Sequence, residues 1–279
     1  MSMRTLFTLS LVLMSLLSFS SWSADFNKGL AAALRGDFAI ALRNFKPLAE
    51  KGGADAQYNL GLMYENGDGV RQDSQTALKW FRLAAKQGQK SAQFNLGKTY
   101  YQGLFVTQDY QTALKWYRLA AKQGERNSEF ALGYMYEKGN GVRQDNQTAL
   151  AGYRLAAQQG QREAQATIGL MYYEGKFVKQ DYQTALKWFR LAAKQGQPMA
   201  QRRIGGMYFF GDFGTPDYDK AIKWFKLAAK QGDEVSQFGL GYMYEKGNGV
   251  NKDKNKAVQW YRIAAKQGYQ QAIKRLAEL

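Results

Sequence analysis

Two residue types that commonly perform enzyme chemistry are absent from this sequence of 279 residues. It contains no cysteine and no histidine. This excludes thiolate nucleophiles, disulfides, histidine acids and bases, and the usual zinc sites. Any reaction would have to rely on carboxylate, lysine, tyrosine or serine side chains that lie close together.

Two patterns invite a catalytic interpretation, and neither supports one. Gly97-Lys98-Thr99 resembles the end of a phosphate-binding loop, but Ala92 stands where the first glycine of that loop is required. Glu65, Glu137 and Glu245 recur at one helical position of different repeats, so their spacing does not pair two carboxylates. We therefore predict a protein that is not an enzyme and that has no cofactor and no metal site.

A repeat of 36 residues organises most of the chain. Six units run without an insertion, and a partial, degenerate unit precedes them. The period is carried by two series of glycines and one of aspartates: Gly61, Gly97, Gly133, Gly169, Gly205 and Gly241; Gly88, Gly124, Gly160, Gly196, Gly232 and Gly268; Asp73, Asp109, Asp145, Asp181, Asp217 and Asp253.

Each unit is predicted to be a helical hairpin. Apolar residues at helical spacing, such as Ala56 and Leu60, form a first helix that stops at Gly67. Asp73 caps a second helix, which ends before Gly88. One hairpin cannot bury its apolar faces alone, so the units must stack. The predicted fold class is all-α, a superhelical solenoid of helix-turn-helix repeats.

The same residues resemble the SEL-one-like (Sel1-like) repeat family, a relative of the tetratricopeptide repeats. The resemblance covers about residues 37–279 and rests on the period, the glycines, the Trp80-Phe81 pair and the Ala84-Ala85 pair. It implies a right-handed α-superhelix that acts as a scaffold or adaptor, with the first helices lining the concave side. Exported bacterial members of the family often work in envelope or host-interaction roles.

The N-terminus resembles a secretory signal peptide. Arg4 is followed by an apolar stretch at 5–17, and small residues at Ser21 and Ser23 favour cleavage between Ser23 and Ala24. A retained N-terminal anchor stays open as an alternative. We expect a periplasmic or secreted protein with no transmembrane segment after cleavage. The predicted segments are a signal peptide at 1–23 and a single α-solenoid at 24–279, made of a degenerate repeat (24–53), six repeats (54–269) and a C-terminal capping helix (270–279).

One face of the first helices varies from unit to unit as a binding surface would. Positions equivalent to 58, 62 and 65 share this face and are rich in aromatic residues. Aromatic residues equivalent to Tyr58 have a second interpretation, as part of the core between repeats. The predicted partner-binding residues of the concave face are Tyr58, Glu65, Phe94, Tyr101, Phe130, Tyr134, Glu137, Tyr173, Phe209, Phe238, Tyr242 and Glu245.

The loops between the two helices alternate in sequence. Three of them keep a second glycine, as in Gly67-Asp68-Gly69, whereas the others place Phe105, Phe177 or Phe213 there. These phenylalanines either tuck against their own hairpin or form exposed contact points.

Positive charge concentrates on the second helices. The formal net charge is +16, and Lys79, Arg82 and Lys86 form a stripe that other repeats share. This stripe is either a solvated outer face or a docking site for an anionic envelope polymer or lipid surface. Nucleic acid is disfavoured as a partner by the predicted export. The expected function is a protein-protein interaction scaffold or adaptor in the bacterial envelope, binding a protein or peptide; the alternative is a binder of peptidoglycan or another anionic glycan.

Overall fold

The computed structural model describes residues 23–279, and all regular secondary structure in that range is α-helical. A first helix covers residues 23–34 (α1). The following helices are α2 (Phe38–Glu50), α3 (Ala54–Asn66), α4 (Ser74–Lys86), α5 (Lys90–Gln102), α6 (Tyr110–Lys122), α7 (Arg126–Lys138), α8 (Asn146–Gln158), α9 (Arg162–Glu174), α10 (Tyr182–Lys194), α11 (Pro198–Phe210), α12 (Tyr218–Lys230), α13 (Glu234–Lys246), α14 (Lys254–Lys266) and α15 (Gln270–Ala277).

The chain divides after Arg143 into two compact parts, each containing several repeats. The names first unit and second unit mean these two parts and not single repeats. In the first, α3 packs on α4 and α5 on α6 as hairpins, while α2 packs on α3, α4 on α5 and α6 on α7. The second repeats this pattern from α8 to α15, and α9 there also contacts α11. Each unit is thus a stack of helical hairpins, which confirms the predicted all-α repeat fold.

The predicted signal peptide falls on residues 1–23, which lie outside the described part of the chain except for Ser23 at the start of α1. It therefore stays a prediction. From residue 23 onward, none of the helices combines the length and the apolar composition needed to span a membrane.

Local residues fix where the helices begin and end. Asp73 accepts hydrogen bonds from the backbone N–H groups of Gln75 and Thr76, as the sequence predicts for a capping residue. The other five aspartates of the series also cap second helices. Gly67 ends α3 with a φ of 83°, a left-handed conformation that glycine adopts without strain.

Buried glutamines join neighbouring repeats, a contact that the repeat pattern did not predict. Gln57 donates from Nε2 to the carbonyl of Ala49 on α2 at 3.1 Å, and its Oε1 accepts from Gln87 at 2.8 Å. Gln93 repeats both bonds, to Ala85 and from Gln123. A buried amide with these partners satisfies a carbonyl at the end of the preceding second helix. The same pairs of bonds recur in the second unit at Gln165, Gln201 and Gln237.

The three loop phenylalanines behave differently from one another. Phe213 packs on Tyr208 of its own hairpin, with ring centroids 5.7 Å apart. Phe177 is half-buried, and Phe105 is 57% exposed. The loops that keep glycine lie too close to the preceding second helix for a side chain: a Cβ on Gly69 would lie 2.9 Å from Cβ of Phe38.

Close contact between the two helices of a hairpin depends on the Gly61 series. A Cβ at Gly61 would lie 2.6 Å from Cε1 of the buried Phe81 ring. We expect Gly61→Ala to lower the free energy of unfolding by about 1–3 kcal/mol, because overpacking a core costs that much. Urea denaturation measures the change.

The matched control is Gly206→Ala, also inside a first helix, where an added Cβ meets nothing within 4 Å. It should gain about 0.5–1 kcal/mol from helix propensity. If the two variants change the free energy of unfolding equally, crowding against Phe81 is not the cause of the destabilisation by Gly61→Ala.

Candidate partner-binding cleft

The second unit contains a cleft of about 600 Å³ on the side formed by its first helices. Residues of α9, α11 and α13 line it, together with one residue of α12 and the N-cap residue of α15. The lining residues are Tyr173, Arg202, Arg203, Gly206, Phe209, Phe210, Phe225, Val235, Phe238, Gly239, Tyr242 and Tyr269.

Two glycines open the cleft. Gly206 stands where the other five repeats carry Leu62, Lys98, Tyr134, Leu170 and Tyr242. A Cβ at Gly206 would meet no atom within 4 Å, whereas one at Gly239 would lie 3.5 Å from the ring of Phe225. The cleft thus occupies space that side chains fill in other repeats, and Phe225 lies beneath it.

Aromatic side chains form the walls. The ring of Phe209 lies 6.0 Å from Tyr242 and 5.1 Å from Phe210, measured between centroids. Phe238 packs on Tyr269 at 5.4 Å. Phe210 is 71% exposed, so an aromatic ring projects from the rim into solvent. Such a surface favours apolar or aromatic groups of a ligand.

Two arginines bring positive charge to the cleft. Nη1 of Arg202 lies 3.6 Å from Oδ2 of Asp233, and Nη2 of Arg203 lies 4.0 Å from Oε1 of Glu174. The guanidinium of Arg203 also lies 5.8 Å from the centre of the Tyr173 ring. Burial raises the pKa of the Tyr173 hydroxyl, with Asp212 acting in the same direction, so this phenol is neutral at physiological pH.

The structure brings four of the predicted site residues together. Tyr173, Phe209, Phe238 and Tyr242 all line the cleft. Sequence reasoning placed Arg202 and Gly206 on the same face but did not select them. It missed six lining residues: Arg203, Phe210, Phe225, Val235, Gly239 and Tyr269. The signal that could have found the cleft was Gly206 itself, since it removes a side chain at the centre of a face that was expected to bind.

Aromatic residues equivalent to Tyr58 take part in the core. The ring of Tyr58 packs on Phe81 with centroids 5.8 Å apart, and Phe94 packs on Tyr117 at the same distance. Phe238 packs on Tyr261 at 5.2 Å while also lining the cleft. Tyr58 and Phe94 therefore belong to the core, and Phe238 belongs both to the core and to the wall of the cleft.

The remaining predicted aromatics belong to the first unit. Tyr101 packs on Tyr110 at 5.3 Å between ring centroids, and its hydroxyl accepts a hydrogen bond from Asn140 at 2.8 Å. Tyr134 is 40% exposed and lies beside Tyr101. Phe130 is half-buried. None of these three predicted residues lines the cleft.

The three predicted glutamates have different surroundings. Glu65 is half-buried, and Glu137 lies 3.3 Å from Nζ of Lys138. Glu245 is 7% exposed. Its carboxylate accepts hydrogen bonds from Arg275 on α15 and from the Tyr261 hydroxyl. Internal contacts thus occupy the carboxylate of Glu245. Its bond with Arg275 joins α15 to α13 at the C-terminal end of the second unit.

The basic stripe is partly structural. Nη2 of Arg82 donates to the Tyr100 hydroxyl at 3.1 Å, and Arg118 makes the equivalent bond to Tyr136 at 2.9 Å. Lys79 beside them is exposed. No group of three or more acidic residues in the described part of the chain is arranged to hold a metal ion.

Comparison with known proteins identifies a family and a number of similar solved structures. The family model for the Sel1 repeat matches residues 54–89, 90–125, 127–161, 162–197, 198–233 and 235–269. A Sel1 repeat protein from Oxalobacter formigenes is 35% identical with a TM-score of 0.80, covering 86% of this chain and 99% of that protein. A protective antigen of uropathogenic Escherichia coli strains, with an SLR fold, is 38% identical with a TM-score of 0.76. That match covers 93% of this chain but only 56% of the antigen. No curated protein matches the chain.

Proposed function

Because the chain belongs to the Sel1 repeat family, whose repeats generally mediate protein-protein interaction, we propose that it is a non-enzymatic adaptor that holds a segment of a protein partner in the cleft of its second unit. One observation carries this proposal. Side chains of three consecutive first helices converge on an open volume of about 600 Å³.

The composition of the cleft favours a protein segment as ligand. Tyrosine and arginine are among the residues that contribute most to binding energy in protein interfaces, and the cleft contains Tyr173, Tyr242, Tyr269, Arg202 and Arg203. A volume of this size accommodates a few side chains of a partner. The glycan alternative relies on tyrosines that stack on sugar rings and on the basic stripe. In that stripe Arg82 and Arg118 are already hydrogen-bonded to tyrosines.

We place this function in the bacterial envelope. Support comes from the sequence: a basic residue, an apolar stretch and small residues precede Ala24 in the order of a cleaved signal peptide. The chain contains no cysteine, so helix packing stabilises it without disulfides.

Photo-cross-linking tests the proposal. Phe210, on the rim, is replaced by p-benzoylphenylalanine, and the purified protein is irradiated with envelope extract. Phe105, a 57% exposed loop phenylalanine that does not line the cleft, carries the same replacement as a control. We expect a defined protein to be captured from position 210 and not from position 105.

The captured protein is then purified and its affinity measured by calorimetry at two salt concentrations. Aromatic contacts in the cleft should change little with salt, whereas docking of an anionic glycan on exposed lysines should weaken steeply. Identical products from both positions, or capture of wall material that salt abolishes, would contradict the proposal.

A further inference from the structure

We propose that the cleft recognises an acidic side chain next to an apolar one, with Arg203 as the residue that binds the carboxylate. This inference rests on the proposed function, since it names the chemistry of the partner segment that the cleft holds. The apolar side chain occupies the space above Gly206 and Gly239, and the acidic side chain, Asp or Glu, lies against the guanidinium.

The chain contains its own example of this interaction. Arg275 occupies, two repeats further on, the position of Arg203, and Glu245 likewise occupies the position of Tyr173. Nε of Arg275 donates to Oε2 of Glu245 at 2.8 Å, and Nη2 bonds to Oε1 of the same carboxylate. Two parallel N–H···O bonds of this kind are the strongest contacts that arginine makes with a carboxylate.

At the cleft the arginine is present, but no carboxylate among the described residues makes the two parallel bonds with it: the carboxylate of Glu174 lies 4.0 Å from Nη2 of Arg203. Tyr173 replaces the glutamate, and Arg203 meets the face of its ring at 5.8 Å. Nε of Arg203 is buried and has no hydrogen-bond acceptor among residues 23–279. The Arg203 side chain as a whole is 36% exposed and lines the cleft, so its guanidinium is within reach of a ligand carboxylate.

The apolar subsite lies directly beside this arginine. Gly206 follows Arg203 by three residues on α11, so the two positions are neighbours on one helix face. A ligand that places a carboxylate on Arg203 therefore presents its adjacent side chain to the open volume over Gly206. Arg202 adds positive charge at the same edge, offset in part by Asp233 at 3.6 Å. Charge and shape together specify an acidic residue flanking an aromatic or aliphatic one.

Peptide selection tests the inference directly and does not require an identified partner. Random heptapeptides displayed on phage are selected on the purified protein and on three variants. Arg203→Gln removes the proposed carboxylate site, Gly206→Phe fills the apolar subsite, and Arg43→Gln removes one positive charge from a residue that does not line the cleft. The parent and Arg43→Gln should enrich peptides with Asp or Glu beside Leu or an aromatic residue. Arg203→Gln should keep the apolar preference and lose the acidic one.

A double-mutant cycle then isolates the pair. The best selected peptide and its Glu→Gln (or Asp→Asn) counterpart are titrated against the parent and Arg203→Gln by calorimetry. We expect the peptide change to weaken binding to the parent about tenfold and to leave binding to Arg203→Gln unchanged, since a charge-assisted hydrogen bond contributes that much. Arg203→Lys should also bind the acidic peptide more weakly, because lysine keeps the charge but not the two-pronged geometry. Thermal melting confirms that each variant folds.

The outcomes separate the inference from the proposed function. Selected peptides that depend on Gly206 but show the same acidic preference on Arg203→Gln would overturn the role of Arg203 and leave the cleft as a binding site. Selection unaffected by Gly206→Phe, or no enriched pattern on the parent, would overturn the proposed function itself. An equal loss of acidic preference on Arg43→Gln would show that net charge alone attracts these peptides.

Discussion

Replacing Arg275 with alanine is expected to lower the free energy of unfolding by about 3 kcal/mol at pH 7, because it leaves the buried carboxylate of Glu245 without its main partner. The residue Glu245 is 7% exposed and receives two hydrogen bonds from Arg275. Breaking the pair also releases α15 from the end of the second unit. Tyr261 and Ala272, both fully buried beneath this contact, then become accessible to water.

The pH dependence of stability provides a second readout of the same contact. Hydrogen bonds from Arg275 lower the pKa of Glu245 to about 2. The folded protein therefore holds this carboxylate ionised at pH values where the unfolded chain, with a pKa near 4.3, takes up a proton. The stabilisation is complete above about pH 4.3 and is lost as the pH falls towards 2. Urea denaturation of Arg275→Ala across this range should show a flatter profile than the parent.

Lys246 supplies the matched control. Its Nζ lies 2.9 Å from the same carboxylate, but its side chain is 45% exposed. Lys246→Ala should therefore cost less than about 1 kcal/mol. A small effect of Arg275→Ala, or equal effects of the two variants, would show that the Arg275 pair does not hold the C-terminal helix in place.

Filling the cleft with Gly206→Phe is expected to abolish cross-linking from position 210 and to weaken binding of the captured partner by at least about tenfold. A Cβ at Gly206 meets no neighbour within 4 Å, so the new ring enters the open volume instead of the core. The melting temperature should stay close to that of the parent.

Gly206→Ala is the control for this variant, because it adds one carbon and leaves most of the volume free. It should bind nearly as well as the parent. Full binding by Gly206→Phe, measured by calorimetry on the folded variant, would place the partner elsewhere on the molecule.

The parts of the fold that depend on local sequence could be predicted. Asp73 caps α4 and Gly67 ends α3 because both roles need only the residues of one turn. Gly61 faces Phe81 because the two residues belong to one hairpin. Such contacts recur with the period of the repeat, so the periodicity alone specifies them.

The cleft depends instead on how particular repeats depart from the pattern. Gly206 and Gly239 lie on different helices, and only their juxtaposition opens a volume over Phe225. Glu245 looked like a surface residue because its partner, Arg275, lies 30 residues away on the capping helix. Tyr58 looked equally suited to a core or a binding face, and its contact with Phe81 is a matter of packing that spacing does not specify.

Hydrogen exchange of this protein, with and without the partner that was identified by cross-linking from position 210, tests the central claim most directly. The purified partner is added in saturating amount, and amide exchange is compared with that of the free protein. Occupation of the cleft predicts slower exchange in α11 and α13, together with the segment around Tyr269, and unchanged exchange in α4 and α6. Protection confined to the second helices, or spread evenly over the chain, would contradict the account.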